Sequence, residues 1–222
     1  MRGVDKAKKN FSIDIRVDKS RSVTEVIVYC PVHHGLFAGI AGAIAVMGAN
    51  IVDARVSSTT DGMALDVFWI QDSRGSAFSR NKHLDKLRII IEETLTKDFK
   101  PTDFLAQRTS LPSRTKVLTI APRVLIDNNA SATYTVVEVN ARDKVGLLYE
   151  ITKTLVTLRL SIGSARITTY GVRAVDVFYV KDMFGMKITN NEHIERIQKT
   201  LLDVLLREDD TGTMHGAAAS AA

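Results

Sequence analysis

The hydrophobic runs over residues 24–30 (TEVIVYC) and 133–139 (TYTVVEV) are rich in β-branched and aromatic residues, which predicts strands. A helical period follows. Leu147, Ile151, Leu155 and Leu158 recur at helical spacing while Glu150, Lys153 and Arg159 fall elsewhere, as in an amphipathic helix with one buried face. Residues 50–59 with 63–71, and 161–169 with 173–181, each predict two strands around a short turn. A second helix follows each pair. Asn81 and Asn191 are suitable N-cap residues for it, and Leu84, Leu87 and Ile91, or Ile194, Ile197, Leu201 and Leu205, supply its apolar stripe. One more strand is predicted ahead of each set, over residues 11–18 and 117–127.

The elements recur because the sequence contains itself twice. Gly35-Leu36-Phe37 with Ile40 matches Gly146-Leu147-Leu148 with Ile151, 111 positions on, and the match continues through Ile51/Ile162, Ala54/Ala165 and Arg55/Arg166. From Asp66-Val67-Phe68-Trp69 against Asp176-Val177-Phe178-Tyr179 the offset is 110, and it holds through Asp72/Asp182, Gly75/Gly185, Asn81/Asn191 and His83/His193. The lost residue belongs in a turn, Thr60-Asp61-Gly62 against Gly171-Val172. Each unit therefore reads ββαββα. After Leu206 the chain has no strand pattern, so the leading strand is expected on the edge of the next one, where a βαββαβ sandwich carries its terminal strand. The expected class is α+β, two ferredoxin-like domains, each a four-stranded antiparallel sheet with two helices. Expected boundaries are a basic segment 1–10, a domain 11–97, a basic polar linker 98–116, a domain 117–207 and a disordered tail 208–222; Pro101, Pro112 and Pro122 fall between the repeats.

Composition narrows the class. The 222 residues carry 45% hydrophobic and 25% charged residues with a single cysteine, Cys30, which excludes a disulfide-stapled scaffold. Thirteen glycines and four prolines exclude a collagen-like chain. The net charge of +5 permits an anionic partner without requiring one. Residues 35–52 lack charge, but Gly and Ala dominate them and Asn50 interrupts them, so no membrane span or membrane partner is expected. A cytoplasmic location is expected.

The sharpest local feature is the loop into each first helix, Cys30-Pro31-Val32-His33-His34-Gly35-Leu36-Phe37 and Ala141-Arg142-Asp143-Lys144-Val145-Gly146-Leu147-Leu148. Glycine lets a ligand approach the backbone, and a helix start offers unpaired N–H groups that suit a carboxylate. Asp143 adds an acceptor for an ammonium. Together these describe a site for an amino-acid zwitterion, completed by the start of the next strand, Asn50-Ile51-Val52 or Ser161-Ile162-Gly163. The alternative is that Gly35 and Gly146 serve strand–helix packing only.

The pattern D-x-x-G-L-L, helix, then strand resembles the ACT domain, a βαββαβ amino-acid-sensing module. GANIVDARVSSTTDGMALDVFWIQD (48–72) and ARITTYGVRAVDVFYVKD (165–182) resemble more closely the tandem ACT region that ends the bifunctional PII uridylyltransferase/uridylyl-removing enzymes, over residues 11 to 207. That resemblance implies a regulatory glutamine sensor in nitrogen signalling, partnered by the catalytic domains of the same enzyme and through them by the PII protein. A homo-oligomer is a further possible partner. Carried over by position, it nominates Asp143, Gly146, Leu147, Leu148, Ser161 and Ile162 in the second unit, with Gly35, Leu36, Phe37, Asn50 and Ile51 in the first. Val32 stands where Asp143 would match, so the first unit lacks the ammonium partner. Whether a ligand sits within each unit or bridges two is open.

Catalysis by the chain itself is not expected. It contains no Asp-x-Asp triplet for a nucleotidyltransferase Mg²⁺ and no His-Asp doublet of the uridylyl-removing kind, so no cofactor is expected, Mg²⁺ belonging to a catalytic domain. His33-His34 is a poor metal pair because adjacent loop histidines rarely meet at one ion. The alternatives are a stand-alone amino-acid-binding ACT protein and a tandem RNA-recognition-like module. The latter is disfavoured, and no nucleic-acid partner is expected, because ALDVFWIQD and AVDVFYVKD lack the Gly-Phe-Gly-Phe pattern and carry an acid mid-strand. The first helix differs from the second: Ala38, Gly39, Gly42, Val46 and Gly48 stand where the second has Tyr149, Glu150, Lys153, Thr157 and Arg159. A small apolar face of this kind is expected to pack against another helix, from the partner unit, a second chain or another domain, where the second helix meets water.

Overall fold

The computed structural model describes residues 10–59, 61–96 and 120–210. In the first unit, strands β1 (Ser12–Asp18) and β2 (Val23–Pro31) precede helix α1 (Leu36–Val46), and β3 (Asn50–Ser58) and β4 (Met63–Gln71) precede α2 (Asn81–Thr96). The second repeats the order, with β5 (Arg123–Asp127), β6 (Thr135–Arg142), α3 (Leu147–Thr157), β7 (Ser161–Tyr170), β8 (Arg173–Lys181) and α4 (Asn191–Asp210). The leading strands take the predicted edge: β1 runs antiparallel to β2 with Ser12 opposite Tyr29, and β5 to β6 with Val124 opposite Val139.

The two sheets join. All eight strands form one sheet in the order β1-β2-β4-β3-β7-β8-β6-β5, with β3 and β7 antiparallel across the seam and Asp53, Ala54 and Arg55 opposite Thr168, Ile167 and Arg166. Both seam strands carry a bulge near their start, between Ile51 and Asp53 and between Ile162 and Ser164. A bulge bends a strand and increases its twist. These two redirect the β3 and β7 starts. Alternation along the central strands sends one side inward: on β4, Ala64, Asp66, Phe68 and Ile70 are buried, and on β8, Ala174, Asp176, Phe178 and Val180. Helical stripes meet them with Ile40 and Ile44 of α1, Leu87 and Ile91 of α2, Ile151 and Leu155 of α3, and Ile197 and Leu201 of α4, all buried.

Helix α1 packs against α2 of its own unit and α3 of the partner unit; of the small face predicted from the repeat comparison, Ala38 borders a cleft together with Val156 of α3. The α1 residues from Leu36 to Ala45, apart from half-buried Gly39, are all buried. A Cβ built on Gly39 lies 2.7 Å from Thr94 Cγ2, so glycine there lets α1 and α2 approach. The reading of α3 needs correction. Tyr149 is buried and Glu150 and Lys153 are half-buried rather than turned to water, although Thr157 and Arg159 are exposed.

Other boundaries shift by a few residues. β5 begins at Arg123, directly after Pro122, which has no N–H to give a ladder; residues 117–119 of the predicted strand lie outside the described residues. The predicted segment 98–116 lies outside them too, as do residues 1–9 and 211–222 of the predicted termini. Helix α4 continues through Asp210, beyond the predicted boundary at 207. Asn190 rather than Asn191 caps it, accepting from the His193 N–H at 3.0 Å, and Asn81 and Asn191 are the first helical residues. No described helix is long and apolar enough to cross a membrane.

Candidate functional site

Both first helices start from a glycine in the left-handed region, Gly35 at φ 80° and Gly146 at φ 92°. Nothing stands within 4 Å of a Cβ built on Gly146, so the residue is required by its backbone angle rather than by packing, and space is left over the helix start. The first N–H groups of α1 and α3 have no intrahelical acceptor, and in α3 the Leu147 N–H turns back to the Lys144 carbonyl at 3.1 Å.

The seam decides what faces these loops. Because β3 and β7 are antiparallel neighbours and α1 lies beside α3, each loop meets the other unit's strand start. Asp143, Gly146, Leu147 and Leu148 line one cleft with Asn50 and Ile51. Gly35, Leu36 and Phe37 line a second with Ser161 and Ile162. All eleven nominated residues border a cleft, but the grouping by unit is replaced: each cleft takes its loop from one repeat and its strand start from the other. The Asn50 Nδ2 donates to Asp143 Oδ2 at 2.6 Å, a hydrogen bond that crosses the seam. Burial raises the Asp143 carboxyl, against the lowering effect of the Asn50 hydrogen bond and of the Lys144 N–H. In the second cleft Val32 is half exposed at the corresponding rim, and Phe37 stacks on Phe68 with centroids 5.2 Å apart.

Two residues were not nominated from sequence. Asp66 and Asp176, each 1% exposed, stand at the same place in β4 and β8 and form the floors of the second and first cleft. Neither Asp66 oxygen has a partner among the described residues, and neither does Asp176 Oδ1. Burial pushes Asp66 up to about 7. Burial, then the charge of Asp143, pushes Asp176 up to about 8, against a backbone hydrogen bond at Thr168. The signal was present as an acid in an inward position of an otherwise apolar alternation, Ala-x-Asp-x-Phe. Other candidates are chemically quiet. Cys30 is buried and its thiol is pushed up to about 11, chiefly by burial and then by Asp66, which removes it as a nucleophile. His33 lies beside the His34 carbonyl at 3.3 Å, and no three His, Cys, Asp or Glu side chains among the described residues are grouped to hold a metal ion.

Residues 130–207 match the ACR family N-terminal ACT domain. Nearly the whole chain is similar to proteins named bifunctional uridylyltransferase/uridylyl-removing enzyme: 48% identity to that of Azospirillum brasilense over 92% of this chain and 22% of the relative, and 46% to that of Gluconobacter oxydans over 89% and 21%. The chain thus spans about a fifth of the length of these relatives. Among solved structures, aspartate kinase from Synechocystis superposes with a TM-score of 0.42 at 14% identity, over 83% of this chain and 28% of that one. The chain is a tandem pair of ACT domains, homologous along nine-tenths of its length to one region of the bifunctional uridylyltransferase/uridylyl-removing enzymes.

Proposed function

We propose that the chain is a regulatory, glutamine-sensing ACT pair whose ligand binds in the cleft between Asp143 and Asn50 and adjusts the activity of uridylyltransferase/uridylyl-removing catalytic domains. The observation that carries this reading is the hydrogen bond across the seam. Asn50 supplies an N–H donor 2.6 Å from Asp143 Oδ2, which is what an α-ammonium would supply in its place. The start of α3 beside it suits the α-carboxylate. A zwitterion fits that pair of groups, and a cleft built from two units lets ligand binding act on the seam between them. The responding sites are the catalytic domains and, through them, PII, and the signal belongs to cytoplasmic nitrogen regulation.

Calorimetric titration of the chain with glutamine and with glutamate tests the reading. Selective glutamine binding that Asp143→Ala weakens by tenfold or more, about 1.4 kcal/mol or above, is expected. Absence of selective binding, or binding indifferent to Asp143→Ala, rejects the site.

A further inference from the structure

The clefts differ at the rim, where one has Asp143 and the other Val32, yet they share a floor. On the same inward line as each buried acid stands a hydroxyl residue of the neighbouring strand, Ser58 with Asp66 and Thr169 with Asp176, and all four line the clefts. The Thr169 Oγ1 is buried and, like Asp176 Oδ1, has no partner among the described residues. Buried polar groups are nearly always hydrogen-bonded, so unpartnered groups repeated at equivalent positions beneath two clefts call for an explanation outside the chain.

We propose that Asp66 and Asp176 are specificity-determining contacts, each receiving the side-chain carboxamide of an amino acid bound in its cleft. This rests on the reading of the clefts as amino-acid sites. The chemistry follows from the protonation that burial imposes. With its carboxyl raised to about 7 or 8, each floor acid, at pH values below that, presents an O–H donor and a C=O acceptor side by side. A primary carboxamide offers the complementary C=O and N–H, giving two hydrogen bonds. A carboxylate side chain offers no donor and brings a second negative charge, in the first cleft beside Asp143 and in the second with no described charged partner for Asp66. The floor therefore selects an uncharged amide over the corresponding acid, and leaves an unpaired group under an apolar side chain. Among titratable groups, Cys30 feels the charge of Asp66 and His33 and His34 line the same cleft, while Asp143 acts on Asp176 and Lys144 lines their cleft.

The test measures glutamine, glutamate and methionine binding by calorimetry in the full chain and in its Asp66→Leu, Asp176→Leu and corresponding Asn variants. Methionine matches glutamine in length and ends in an apolar group. Each Leu variant is expected to lose about tenfold or more in glutamine affinity at its own cleft while methionine binds as well or better, and each Asn variant to keep glutamine within about threefold, since an amide also donates and accepts. Unchanged glutamine affinity in the Leu variants overturns the inference. So does parallel loss of glutamine in both the Leu and Asn variants, which marks the acids as packing residues. An effect from one acid alone rejects the role of the other. If the unaltered chain binds none of the three, the amino-acid reading itself fails and this inference falls with it; if glutamine binds and only the floor variants are silent, that reading stands.

Discussion

At the scale of single residues the buried acids dominate the energetics. Asp66 ionises near its ordinary 3.8 when unfolded but only at about 7 when folded. The folded state therefore holds a proton that the unfolded state releases, and stability falls as pH climbs between those values. At 1.36 kcal/mol per unit this amounts to on the order of 4 kcal/mol by pH 8, and Asp176 acts in the same direction. Asp18, Asp61 and Asp72 oppose this at the acid end: hydrogen bonds lower their carboxyls, so their contribution exists above the ordinary carboxylate range and is lost as pH falls. Urea unfolding is thus expected to give greater stability near pH 5 than pH 8, with Asp66→Asn flattening that difference. A stability that rises from pH 5 to 8 contradicts the assignment. The acids were legible in outline, because alternation along β4 and β8 places them inward. What alternation does not carry is that a cleft lies above them.

At the scale of elements, periodicity served where one face is buried and the other is not. β4 and β8 run over the residues predicted, Met63–Gln71 and Arg173–Lys181, since turns with Gly62 and Gly171 at positive φ fix their starts. Prediction failed where packing rather than propensity decides: Tyr149 is amphipathic, and only the approach of α1 makes its environment dry. Helix α1 shows the cost of being enclosed. Gly42 is buried in a helix flanked by α2 and α3, so a long cationic side chain there has to displace a neighbouring helix or bury its charge. Gly42→Lys is expected to destabilise the chain by about 3 kcal/mol or more, despite the gain in helix propensity, and a denaturant midpoint close to that of the unaltered chain would refute the enclosure.

At the scale of the whole molecule, the seam between β3 and β7 makes two clefts out of two repeats. Sequence foretold both units but not this pairing, because the sheet of each unit has two edge strands, β1 and β3 or β5 and β7, and alternation says nothing about which edge joins which. The walls of each cleft consequently depend on a junction that contains no cleft-lining side chain at Asp53 or Thr168, which stand opposite each other across it. Those two positions allow the seam to be fixed without touching a site. Cross-strand partners lie within disulfide reach, and the chain's own thiol, Cys30, is buried away from solvent. The Asp53→Cys, Thr168→Cys double variant is expected to oxidise readily and to gain about 2–4 kcal/mol of stability, reversed by reductant. If the clefts work as assembled, oxidised and reduced forms will bind glutamine with the same stoichiometry and affinities within about threefold. Loss of binding at both clefts on oxidation alone would instead mean that ligand enters by parting β3 from β7, and that the seam is the part of the pair that moves on binding.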